Sequence, residues 1–258
     1  MHAVFTSLIA LSAVALAAPV SFEARLFPLY ARDASAITNG TIGSDVCGVP
    51  IPGSLQSCGS TPNHFIVASN GLNPSNSTTP PANHECDHST AIHVLGHALT
   101  SNGACTALDG MLAASNTSHT KPMLMAPLFA AIGRTGNNVY LDAGANGAKA
   151  TMMQQAFGSG GAQPSSSSGA LSTVKAYFND TRVDGTAQRL GSQLDRLTRH
   201  MLDHAATQAN ATISQGFQGT GRGSALAAVN AAKGMYNSSA GSAQDSWGKL
   251  QSYVGSQR

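Results

Sequence analysis

Four histidines fall in the stretch His84-Glu-Cys-Asp-His88-Ser-Thr-Ala-Ile-His93-Val-Leu-Gly-His97. Imidazole, carboxylate and thiolate together make the ligand set that suits zinc or copper. Two histidines four apart on a helix point the same way, so His84/His88 and His93/His97 are each candidate metal ligands. Cys86 lies among them, but it cannot both ligate a metal and sit in a disulfide.

The first pair, as His84-Glu85-x-x-His88, matches the H-E-x-x-H motif and puts Glu85 where a general base would act on a zinc-bound water. The second, His93-Val-Leu-Gly-His97-Ala-Leu99, resembles the helix of zinc proteases. Val94 stands where that helix carries its glutamate, so this copy can hold a metal without activating water. The resemblance does not extend beyond His84–Leu99, and the positions six beyond His88 and His97 are Val94 and Gly103 where a third histidine would be needed. No family follows from it.

At about 100° per residue the two pairs face nearly opposite ways on one continuous helix. They converge only if the chain bends between Cys86 and Thr90, which Asp87 or Ser89 as N-cap permits. The helix then runs to about Thr100, stops at Asn102-Gly103, and carries Ile92, Leu95 and Leu99 as its apolar stripe. His93 and His97 lie opposite that stripe, facing solvent or a pocket roofed by another segment. A second H-x-x-x-H pair, His200 and His204, edges the apolar stripe of a long C-terminal helix beside Arg196 and Asp203. Four imidazoles meeting between the two helices would suit zinc, copper or haem.

Other chemistries find little support. No G-x-S-x-G elbow occurs, and Gly221-Arg-Gly-Ser224 follows no convincing strand. Glu23 and Glu85 are the only glutamates, too few for a carboxylate-bridged di-iron bundle. Trp247 is the single tryptophan and aromatics are 5%, which leaves little for a sugar-stacking cleft. No catalytic constellation is complete. The expectation is therefore a non-enzymatic extracellular protein (surface, wall-associated or host-interacting), with a metal-binding protein or zinc-dependent hydrolase as the alternative.

The compartment is read from residues 1–17. Val4, Phe5, Leu8, Ile9, Leu11, Val14 and Leu16 make an uncharged apolar stretch ending in Ala15-Leu16-Ala17, a signal-peptidase pattern. Cys47, Cys58, Cys86 and Cys105 then read as two disulfides of undetermined pairing. Charged residues are 10% of the chain, against roughly 25% for an ordinary soluble domain. Glycans at Asn39, Asn76, Asn116, Asn179, Asn210 and Asn237, each opening a sequon, would help solubility. A net charge of +2 without basic clusters argues against nucleic acid or an anionic membrane as partner, and no second apolar run is long enough to span a bilayer.

Positioning elements follow from the same reading. Residues 18–157 form a disulfide-containing, His-rich region; 158–170 a Gly/Ser-rich connector; 171–258 a helical region. Residues 19–83 read as irregular because prolines interrupt them, with His64–Ala68 the best strand. Leu128–Ile132 and Ala148–Phe157 read as short helices flanking a strand at Asn138–Asp142. Beyond the connector, helices are expected over Thr186–Gln215, through Leu226–Met235 and through Trp247–Val254, with Asp195 and Arg199 pairing on the outer face of the first. The fold class is mainly α (α+β possible): a small bundle, or a helical layer packed on the stapled half.

Overall fold

Residues 45–56, 65–68, 71–75, 79–114, 118–158, 168–214, 222–237 and 241–257 are described by a computed structural model. The leader, Cys58, the sequons at Asn39, Asn76 and Asn116, and most of the connector lie outside these residues.

The described residues begin with a two-stranded hairpin, β1 (Asp45–Val46) and β2 (Val49–Pro50). Its two central residues both have positive φ, Cys47 at 55° and Gly48 at 73°. That is the backbone a two-residue hairpin turn requires. The Gly48 N–H donates to Asp45 Oδ1 at 2.7 Å, and a Cys47–Cys105 disulfide ties the turn to a helix far along the chain.

A four-stranded sheet follows, in the order β4-β3-β6-β5, where β3 is Phe65–Ala68, β4 Gly71–Pro74, β5 His84–His88 and β6 Asn138–Asp142. β6 is central: it pairs parallel with β3 and antiparallel with β5. Its first four residues are all buried, as an inner strand requires.

Eight α-helices complete the described residues. They are α1 (Ile92–Ser101), α2 (Ala104–Ala114), α3 (Lys121–Ile132), α4 (Ala143–Ala156), α5 (Ser168–Asn179), α6 (Thr181–Ser214), α7 (Arg222–Asn237) and α8 (Ala243–Ser256). The mainly α expectation with a few short strands in the N-terminal half holds. Among the described residues no helix is long and apolar enough to cross a membrane.

Among the described residues two apolar cores form. One gathers the hairpin, α1–α3 and the middle of α6, with Leu99, Leu108, Leu128 and Leu194 at its centre. The other lies on the sheet under α4, α5 and α8, with Leu141, Val174, Tyr177 and Trp247. The helix α6 belongs to both, giving Val183 and Ala187 to the second and Leu194, Met201 and Ala205 to the first. α1 is likewise shared: Val94 enters one core, Leu95 and Leu99 the other. Both cores therefore draw on residues before and after the connector.

Several local expectations are corrected. Asp87 and Ser89 do not cap α1: its N-cap is Ala91, with no side-chain bond. Asp87 instead belongs to β5, and the Ser89 N–H continues that pairing by donating to Asn137 O at 2.6 Å. Once β6 supplies ladder partners, the backbone ahead of Thr90 is satisfied as strand. The stop at Asn102-Gly103 does hold, since Asn102 caps α1 while its Oδ1 accepts from the Ala104 N–H at 2.9 Å to start α2. The stretch expected to be irregular holds β1–β4, because prolines at strand ends and edges do not prevent pairing.

Candidate functional site

β5 separates the residues of the H-E-x-x-H match. Side chains alternate along a strand, so His84, Cys86 and His88 share one face while Glu85 and Asp87 project from the other. Glu85 is exposed there and accepts a hydrogen bond from Asn146 Nδ2 at 2.9 Å. His84 Nδ1 bonds the Ala82 carbonyl at 3.0 Å, and Cys86 is disulfide-bonded, which removes its thiolate as a ligand. His88 is mostly buried and its Nε2 has no hydrogen-bond partner. Burial pushes its pKa down, Asp87 opposes this, and Lys149 adds to it.

His93 and His97 behave differently. They project from α1 into a cavity of about 440 Å³. Its roof is the β1–β2 hairpin with the Cys47–Cys105 disulfide; Ile92 and Gly96 form the α1 wall, and Met153 and Phe157 the α4 wall. His97 stacks on Phe157 with ring centroids 4.1 Å apart, and its Nδ1 shares a 2.9 Å hydrogen bond with the buried hydroxyl of Ser246 on α8. His93 sits at the mouth with one edge open to solvent and the rest of its ring against the cavity wall. Burial lowers the pKa of both, and the nearby ammoniums of Lys149 (for His93) and Lys249 (for His97) lower it further. At neutral pH the cavity thus presents two uncharged imidazoles on an otherwise mostly apolar lining. Of the two alternatives for this pair, a pocket roofed by another segment forms around His97, while His93 lines its mouth and also meets solvent.

The remaining histidine pair is not brought to the first. His204 on α6 meets His119 edge-on, centroids 5.0 Å apart, and its pKa is lowered by burial and then by His119. Among the described residues no group of three His, Cys, Asp or Glu side chains is placed to hold a metal ion. The donor set for a resident zinc or copper is therefore not assembled among them.

Sequence reasoning missed the most buried polar cluster. Lys149 on α4 is wholly buried, and its Nζ donates to Asp87 Oδ2, to the His88 carbonyl at 2.8 Å and to Tyr177 Oη at 3.2 Å. The Tyr177 hydroxyl in turn donates towards the Ser89 carbonyl at 3.1 Å and that of His88 at 3.3 Å. Burial raises the tyrosine pKa strongly and lowers that of Lys149, with Asp87 acting to restore the latter. The available signal was a lone lysine in a helix of small and apolar residues. The cluster is closed to solvent and reads as a polar pin between sheet and helices.

Comparison with known protein families, with curated proteins and with solved structures finds no match to this chain.

Proposed function

We propose that the protein acts outside the cell, after removal of residues 1–17, as a non-enzymatic binding protein whose site is the cavity beneath the hairpin. The observation that carries this reading is where His93 and His97 point. The two side chains best suited to chemistry face an apolar-lined hollow, and His97 is already committed to Ser246 and Phe157. A concave, largely apolar site with a few polar groups is what a small uncharged ligand needs. Neutral imidazoles offer hydrogen bonds without the desolvation cost of a charge, from both ring nitrogens of His93 and from the Nε2 of His97, whose Nδ1 is held by Ser246. Glycosylation fits the same reading, since Asn179, Asn210 and Asn237 are all exposed.

The test uses N-phenyl-1-naphthylamine, an uncharged apolar fluorophore, titrated against the protein at neutral pH. Saturable binding that is lost when His93→Trp blocks the mouth supports the reading; no saturable binding, or binding unaffected by the substitution, overturns it. The competing reading is a metal carrier, or a zinc hydrolase using His84, His88 and one of His93 or His97 with Glu85 as base, against which stands the projection of Glu85 from the opposite face of β5. Stoichiometric zinc or copper that disappears in a His93→Ala/His97→Ala or His84→Ala/His88→Ala protein would favour it. Glu85→Gln would then separate hydrolase from carrier, because a hydrolase loses turnover while keeping its ion. Extracellular export predicts that the secreted protein begins at Ala18.

A further inference from the structure

On a different part of the molecule, Arg134 and Arg189 line one cleft of about 310 Å³ from two elements. Arg134 sits in the turn that ends α3, and Arg189 lies in the third turn of α6. Thr186, Leu190 and Gln193 line the cleft with Arg189, a spacing that places all four on one face of α6.

Among the described residues neither guanidinium has a carboxylate partner within ion-pair distance. Lys121, Lys149, Arg182, Lys233 and Lys249 each sit in an ion pair. The acids near the start of α6 are already committed. Asp180 is bound by Arg182, and Asp184 Oδ1 accepts from Trp247 Nε1 and from Gln251 Nε2, both at 2.9 Å. In a chain where only 10% of residues are charged, two uncompensated arginines facing one hollow form a local concentration of positive charge.

The cleft is also built. Asn137, 2% exposed, fixes the turn behind Arg134: its Nδ2 donates to the carbonyls of Ile132 at 2.9 Å and Thr90 at 3.1 Å, and its Oδ1 accepts from the Thr90 N–H at 2.7 Å. Its own N–H donates to the Arg134 carbonyl at 2.8 Å. Across the cleft, Arg189 Nη2 donates to Thr186 Oγ1 at 3.2 Å, which steadies the guanidinium and leaves its other N–H groups for a ligand. Paired guanidinium forks match the planar or tetrahedral oxygens of carboxylate, sulfate and phosphate.

We propose that this cleft binds a small oxyanion, gripped between Arg134 and Arg189 with the Gln193 amide as a further donor and Leu190 as the apolar flank. The site is separate from the histidine cavity and does not depend on its reading.

The experiment is calorimetric titration of the intact protein with sodium phosphate, sodium sulfate and sodium citrate, against sodium chloride at matched ionic strength. Saturable binding of at least one oxyanion is expected. Preference for phosphate and sulfate would assign a tetrahedral ligand, and preference for citrate a carboxylate. Arg134→Gln and Arg189→Gln should each weaken binding about tenfold or more, and the double variant should abolish it. Arg196→Gln, on the same helix but outside the cleft, should bind as the parent does. Phenylglyoxal labelling of the unmodified protein gives a check that needs no variant: the bound anion should protect Arg134 and Arg189 and leave Arg196 reactive. Equal response to chloride, undiminished binding in the double variant, or absence of protection would overturn the proposal.

Discussion

The Lys149 ammonium and the Asp87 carboxylate meet inside the second core, the lysine fully buried and 4.7 Å from the centre of the Tyr177 ring. One residue comes from α4 and the other from β5, so the pair joins helix to sheet. An ion pair this deep stabilises only while both partners are present, because either one alone is an uncompensated buried charge.

Asp87→Ala should therefore cost about 3–5 kcal/mol, far more than an exposed pair would. The replacement Asp87→Leu/Lys149→Met, which removes both charges, should recover most of that loss. Urea unfolding of the three proteins measures it. Equal destabilisation by the single and double replacements would show that the hydrogen bonds to Tyr177 and His88, not the charges, hold the joint.

His88 sets an acid limit on stability. Its folded pKa is depressed below the ordinary histidine value of 6.5 by burial, with a smaller push from Lys149 and an opposing pull from Asp87. Between the folded and unfolded values the unfolded chain binds the extra proton, so stability falls as pH drops through and below 6.5. His97 and His204, both depressed, act in the same direction. Asp180, held near a pKa of about 2 chiefly by its hydrogen bond from Arg182, stays ionised through this range and does not contribute to the loss. Unfolding midpoints taken from pH 8 to pH 5 should decline, and His88→Phe should flatten the decline.

Asp195 caps a helix from across the interface. It is 6% exposed, and its carboxylate accepts from the N–H of Ala243 at 2.7 Å and of Gln244 at 3.4 Å, the first residues of α8. Asp195→Ala should cost about 1–2 kcal/mol, the range of a lost N-cap. Asp195→Asn, which can still offer one oxygen, should lose less. An Ala variant as stable as the parent would mean that Ser242, which caps Asp245 at 3.1 Å, suffices alone.

The same contact between α6 and α8 depends on Gly191. A Cβ there would lie 3.0 Å from Gln244 Cγ and 3.3 Å from its backbone nitrogen. Gly191→Leu should push α8 away and destabilise by about 1–3 kcal/mol, the usual cost of overpacking. Gly248→Ala on α8, where a Cβ meets nothing within 4 Å, is the matched control and should be neutral or slightly stabilising.

Legibility in the sequence followed how local each signal was. The strand Asn138–Asp142 and the helix carrying Leu95 and Leu99 could be read because their apolar patterns are local, and Asn102-Gly103 marks the end of the helix. The strand at His84–His88 could not: His-Glu-Cys-Asp-His has no strand propensity, and only pairing with β6 makes it one. Asp195 read as a surface partner of Arg199 at helical spacing, whereas tertiary packing turns it inward to α8. Of the candidate site, the same-side projection of His93 and His97 was visible. The cavity they enter was not, since its other walls come from the hairpin and from α4, remote in sequence.

The Cys47–Cys105 bridge gives that hollow a history. Its lid is a turn of only a few residues, fastened to α2 by one covalent bond that forms after synthesis. While both sulfurs are still thiols, the turn is held by its packing on the first core and by the Lys121 ammonium on the Cys47 carbonyl. Closing the bridge therefore fixes the shape of the cavity as well as stiffening the fold.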